Sequence, residues 1–247
     1  MRPVSGQEAA LHEIVTALRE SGGAVSSSLD VGAVDEPPES DSAAQVPYCA
    51  LCHLAQRSAE RSLRAFFTEF VNDPQVRVRF RKARGFCREH TPLLSQCGDA
   101  LGVAILFADL ADETRERWRS GIWSQKGRLF SHWFPAHEGL TCPCCVAEED
   151  AETRFASAIA DGLRHDASVW EALRVSSGLC VPHVERVGAA AAPGDAARLF
   201  AMEIKKLDAL HAELEEFVRK NDYRYRGESW GAERDAWRRA VLRLRKP

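Results

Sequence analysis

No apolar run in this chain of 247 residues approaches the roughly 20 needed to span a bilayer. The longest, ALGVAILFADLA at residues 100–111, is shorter and carries Asp109. Tyrosine is scarce, at three residues, while Ala, Leu, Glu and Arg are plentiful, which favours helix over strand. A dominant charge is also missing. The 33 Lys and Arg against 36 Asp and Glu leave a net charge of −3, which sets up no global field for nucleic acid or a membrane surface. The opening MRPVSGQEAALHEIV has no apolar h-region and no small-residue cleavage site, so the expected localisation is cytoplasmic. There is no phosphate-binding loop, nucleophile elbow or HExxH, and His132 and His137 have no evident partner. An enzyme is therefore the least supported class.

What the chain does have is eight cysteines. In a reducing compartment these are expected to be metal ligands or free thiols rather than disulfides. The first pair lies in CALCH, residues 49–53, which alone reads as a c-type haem attachment motif. An internal repeat argues otherwise. Cys49, Cys52, Cys87 and His90 recur as Cys142, Cys145, Cys180 and His183, each at an offset of 93 residues with no gap. Asp73, Arg81 and Gly85 fall on Asp166, Arg174 and Gly178, and LFA at 106–108 falls on LFA at 199–201. His53 has no counterpart, since Val146 takes its place, so the recurring imidazoles are His90 and His183.

A CxxC turn offers two thiolates to one ion, and a CxxH supplies the other two donors of a closed Cys3His set, the donor set of structural zinc. The expected arrangement is two tandem helical repeats in an all-α protein, each holding its own site. Cys49, Cys52, Cys87 and His90 would serve the first, and Cys142, Cys145, Cys180 and His183 the second. Two zinc ions are the expected cofactors, with an iron–sulfur cluster as the alternative. Cys97, replaced by Ala190 in the second copy, reads as core. Cys144, inside CPCC, is a neighbouring thiol that could stand in as a ligand or act in redox chemistry.

Five segments are expected along the chain. Residues 1–46 hold a short amphipathic helix over 7–20, with Ala10, Leu11, Ile14, Val15 and Leu18 on one face, and then a mobile acidic linker. Repeat 1 occupies 47–120, a connector 121–141 and repeat 2 142–220. Within repeat 1 a helix over 52–71 places Leu63, Phe66, Phe67 and Phe70 on one face. Asp73 and Pro74 are suited to start the next helix as N-cap and N1, and Gly85 to end it at C′. The CxxH should start a third helix, with a long fourth after it over 99–120 and 194–220.

The last segment, 221–247, is basic and aromatic. Ser229 fits an N-cap, and Trp230, Trp237, Val241 and Leu244 form one apolar stripe expected to pin the segment to the body. Tyr223, Arg224, Tyr225, Arg226, Arg234 and Arg238 are the candidate partner-binding residues, left facing outward. RVRFRKARGFCR at 77–88 is a second basic run. The motifs YCALC, GFCREH, CPCC, GLCVPH and KNDYRYRGESWGAERDAWRRAV resemble an uncharacterised bacterial family, a domain of unknown function with duplicated CxxC…GxCxxH knuckles and a Tyr/Arg-rich close. The likeness covers about residues 46–245 and implies the same ligand set but no activity. Three functions remain as expectations: a metal-stabilised interaction module with a protein partner, an iron–sulfur or zinc–thiolate redox protein, and a nucleic-acid binder using the basic tail.

Overall fold

The computed structural model describes residues 6–22, 49–96, 99–120, 142–225 and 227–245. The expected linker, the connector with His132 and His137, Cys97 and Arg226 lie outside the described residues. Among the described residues the regular structure is entirely helical: α1 (Gly6–Gly22), α2 (Ala50–Ala65), α3 (Pro74–Lys82), α4 (Ala100–Arg119), α5 (Pro143–His165), α6 (Ala167–Val175), α7 (Val181–Ala190), α8 (Pro193–Lys220) and α9 (Ala236–Arg243). The chain forms two compact units, Ala55–Ala151 and the combination of Met1–Leu54 with Glu152–Pro247.

The Ala55–Ala151 unit is organised around phenylalanine. Phe80 is 1% exposed, with ring centroids 5.3 Å from Phe86, 5.8 Å from Phe107 and 6.1 Å from Phe66. Ala59, Leu63, Phe67, Val71 and Leu106 complete its core. Asp73 caps α3 as expected, accepting from the backbone N–H groups of Gln75 at 2.7 Å and Val76 at 3.2 Å. Asp109, the acid that interrupts the longest apolar run, is the anchor of α3 on α4. It accepts from Arg77 at 2.5 and 2.6 Å and from Arg81 at 3.2 Å, and the Arg77 guanidinium holds its carboxyl below the usual range.

Three local expectations change here. The helix over 52–71 ends at Ala65 and continues as a π-helical turn, Phe66–Phe70. The wider turn rotates the side chains beyond Ala65, so Phe67 is buried while Phe70 is 42% exposed. At the end of α3 the left-handed residue at C′ is Arg84 (φ 59°), and Gly85 (φ 88°) comes next at C″. Their N–H groups donate to the carbonyls of Arg81 and Phe80, which makes a Schellman close. The first CxxH starts no α-helix. Pro92 would fall in the interior of that helix, where it lacks the N–H and clashes with the preceding turn, so the chain takes a 3-10 course over Thr91–Gln96. In the second copy Pro182 lies in the first turn of α7, where no N–H is needed.

In the other unit α1 packs on α6, α7 on α8, and α8 on α9. The stripe expected on α1 is present, with Ile14 and Leu18 fully buried, Ala10 and Val15 nearly so, and Leu11 half-buried. Phe155, Ile159, Leu173, Leu179 and Leu199 are among the largest fully buried side chains of this unit.

The tail reverses its expected amphipathicity. Trp230 packs on Phe217, at 5.4 Å between centroids, but lies before α9 and shares no helix face with Trp237. Trp237, Val241 and Leu244 are 46%, 66% and 55% exposed. Ser229 caps no helix; its carbonyl accepts from Lys220. What α9 presents to the body is fully buried Ala236 with Arg239 and Arg243, whose acceptors are Glu213 and Glu203 on α8.

A buried aromatic with three ring neighbours should be costly to truncate. Phe80→Ala is expected to lower stability by about 3–5 kcal/mol in denaturant unfolding, whereas Phe70→Ala, half in solvent, should cost under about 1 kcal/mol.

Candidate metal centres

The eight recurring Cys and His residues converge in two groups of four, but across the repeats rather than within them. Cys49 and Cys52 meet Cys180 and His183, while Cys87 and His90 meet Cys142 and Cys145. The expectation that each repeat closes its own site is thereby corrected. The reason lies in the helices. After each CxxC a helix carries the chain away, α2 for 16 residues and α5 for 23, so the hairpin does not return to its own start. Each compact unit contains one complete group.

Local structure positions each donor. Cys49 immediately precedes α2, with Cys52 in its first turn, and Cys142 and Cys145 take the same places at α5. Cys180 is the N-cap of α7 and His183 lies in its first turn. Cys87 and His90 occupy a turn in which the His90 N–H donates to the Cys87 carbonyl at 3.2 Å. Each CxxH comes after a glycine of positive φ, Gly85 at 88° and Gly178 at 91°. A Cβ on Gly178 would collide with the Arg243 guanidinium and lie 2.8 Å from the Glu203 carboxylate.

In the first group the His183 Nδ1 lies 3.3 Å from Cys49 Sγ, 3.2 Å from Cys52 Sγ and 3.1 Å from Cys180 Sγ, and the sulfurs of Cys52 and Cys180 are 3.6 Å apart. In the second the His90 Nδ1 lies 3.2 Å from Cys87, 3.7 Å from Cys142 and 3.4 Å from Cys145, with Cys87 and Cys145 at 3.6 Å. A tetrahedral ion with bonds of about 2.3 Å to sulfur and about 2.0 Å to nitrogen requires edges of about 3.8 and about 3.5 Å, so both groups fit one ion each. The described cysteines are all free thiols.

Two glutamates that sequence reasoning missed complete the sites. Glu148 Oε1 lies 3.0 Å from His90 Nε2, and Glu152 Oε1 lies 3.3 Å from His183 Nε2. With Nε2 engaged by a carboxylate, Nδ1 is left to face the sulfurs, the orienting arrangement usual for metal-bound histidine. Both acids lie on α5, four residues apart, and the helical spacing after CPCC was their only signal. Arg245 is the third missed residue: its guanidinium donates to Cys52 Sγ.

The titration behaviour reflects crowding of donors that compete for protons. Burial opposes charge on His90, but its bonds to Glu148 and Cys87 outweigh this and push it up to about 9. His183 rises in the same way to about 10, burial again opposing and Cys180 and Cys49 prevailing. The bond from Cys144 draws Cys142 down to about 4, while burial pushes Cys145 up to about 12. A bound cation would displace these protons.

His53 belongs to neither group, while Cys49 and Cys52 of the CALCH stretch join Cys180 and His183. Cys144 also lies outside them. It is 1% exposed in the phenylalanine core, and its counterpart in the first knuckle, Leu51, is fully buried. Among the candidate partner residues, Tyr223 is 77% exposed, and Arg224 is exposed but bound by Asp222 at 2.6 Å. Tyr225 is half-buried under the Arg219 guanidinium, and Arg234 and Arg238 are exposed.

Among the described residues the protein is all-helical, and it gathers two groups of three thiols and one imidazole that could each hold a metal ion, with a carboxylate behind each imidazole. The chain belongs to the family of unknown function DUF6062, whose model matches residues 37–246. That match reaches slightly beyond the expected span at both ends. The chain is 28% identical over 178 residues to an uncharacterised 23.9 kDa protein encoded in the xynA 3′ region of Caldicellulosiruptor sp. (strain Rt8B.4), which covers 71% of this chain and 83% of that protein. No solved structure matches it. Among the described residues no helix is long and apolar enough to cross a membrane.

The crossed pairing has a direct test by elemental analysis of double variants. Cys49→Ser with Cys180→Ser removes two ligands of one site and should leave one ion per chain. Cys49→Ser with Cys87→Ser damages both sites and should leave none. Pairing within repeats would give the opposite pattern.

Proposed function

We propose that this is a zinc-stabilised helical protein without catalytic chemistry of its own, a cytoplasmic interaction or adapter module whose partner is a protein. The observation that carries the reading is the donor geometry. At each site all four vertices around the ion are protein groups, so no position is left for water or substrate. The same geometry favours a single ion over an iron–sulfur cluster. A cluster distributes its ligands over several irons and holds them farther apart than these mutual distances. Duplication of one ancestral unit is supported by the helix starts. α2, α3 and α4 begin at residues 50, 74 and 100, and α5, α6 and α8 at 143, 167 and 193.

The nucleic-acid alternative loses support from the ion pairs. Arg77 and Arg81 are committed to Asp109, Arg219 to Glu216 and Glu228, Arg224 to Asp222, and Arg239 to Glu213 and Asp235. Guanidinium groups so engaged contribute little to gripping phosphate. Arg234 and Arg238, one turn apart and exposed, remain the best candidates for an acidic partner surface.

The purified protein is expected to be colourless and to contain two zinc ions per chain by elemental analysis. Stripping the ions with a chelator should lower the melting temperature. A brown protein with visible absorption would overturn zinc in favour of iron–sulfur. Reversing the charge of Arg234 and Arg238 should abolish capture of a protein partner that survives nuclease treatment.

A further inference from the structure

The C-terminal helix grips the first metal group from two sides. Arg243 donates to the Ser177 carbonyl at 2.5 Å and to the Glu203 carboxylate, whose side chain is 3% exposed. Lys206, beside Glu203, donates to the Ser176 carbonyl at 3.0 Å. The segment Ser176–Ser177–Gly178 is thus held at two consecutive carbonyls. Gly178 leaves room for the guanidinium because it has no Cβ and adopts a φ of 91°. Two residues on, Cys180 enters the donor group, and His183 joins it three residues later. This is the half of the site contributed by the second repeat. Arg245 reaches the other half, donating to Cys52 Sγ, and its guanidinium also bears on Cys180. Two arginines separated by one residue therefore span both knuckles of a single site.

Apolar packing does little to keep α9 in place. Ala236 is its only fully buried side chain, while Trp237, Val241 and Leu244 are largely exposed. Its docking depends on polar anchors. Two of those, the Ser177 carbonyl and the Cys52 sulfur, belong to segments more than 120 residues apart in the chain, which an ion would fix at one mutual distance.

We propose that residues 236–245 are a clasp whose docking is coupled to metal occupancy of the Cys49, Cys52, Cys180 and His183 site, with Arg243 and Arg245 as positioning residues. The proposal rests on the metal-centre reading given above. Metal binding presents both acceptors in register and so favours the docked helix. By thermodynamic reciprocity the docked helix strengthens metal binding at this site. Metal loading then also sets how the exposed Trp237–Val241–Leu244 face is displayed.

The test uses the full-length protein. Zinc affinities are measured by competition with a chromophoric chelator, and hydrogen exchange of the 236–245 amides is monitored with and without zinc. Arg245→Gln should weaken one of the two ions by about tenfold or more and leave the other unchanged, the size of effect typical of groups behind the ligands. Arg245→Lys should restore part of the loss. Wild-type tail amides should exchange faster once the zinc is removed. Because Arg243→Gln also frees a buried carboxylate and could unfold the chain, Arg245→Gln is the deciding variant. If two zinc ions bind but Arg245→Gln changes neither affinity, or if tail exchange is the same with and without zinc, the clasp is overturned while the metal centres stand. A wild-type chain that binds no ion overturns both.

Discussion

Everything in the molecule depends on the pairing of each CxxC with the CxxH of the other repeat. One ion at each site would tie together residues 128 or more positions apart at the first and 52 or more at the second. Closing such long loops carries an entropic cost that local helix formation cannot meet. The ions, bound to the folded arrangement, would supply the offsetting free energy, so metal affinity and folding are one equilibrium. Neither repeat closes a site with its own donors here, and each compact unit draws ligands from both.

The sites are closed first by sulfur and imidazole and then by charge. Three thiolates with a divalent cation carry a net negative charge, and at the first site the Arg245 guanidinium stands against it. Behind each imidazole a glutamate of α5 fixes the ring so that Nδ1 meets the sulfurs. The first repeat has Ala55 and Ala59 where the second has Glu148 and Glu152, so both orienting acids come from one helix. The basic composition of the tail has the same origin. Arg239, Arg243 and Arg245 point inward to carboxylates, a carbonyl and a thiol, so much of its charge serves the architecture rather than an external partner.

The ligand residues were legible in the sequence because spacing is a local property. A CxxC or CxxH at the start of a helix places its two donors together whatever the rest of the chain does. The N-caps Asp73 and Asp166 and the positive φ at Gly85 and Gly178 were accessible on the same ground, since each is decided within a few residues. The third helix of the first repeat failed at Pro92, a breaker two residues past the motif's histidine.

The sequence by itself determined the helical class, the eight donors and the tetrahedral chemistry they suit, because these depend on periodicity and on donor type and spacing. Only the tertiary structure decided which knuckle meets which. The two repeats carry the same donors at the same spacing, so pairing within and across repeats have identical local signatures, and the length and course of α2 and α5 select between them. It also decided the facing of α9. Trp237, Val241 and Leu244 form a helical stripe in either orientation. Buried Glu203 and the half-buried Glu213 on α8, each needing a cation, turn the arginines inward and leave the apolar stripe in solvent.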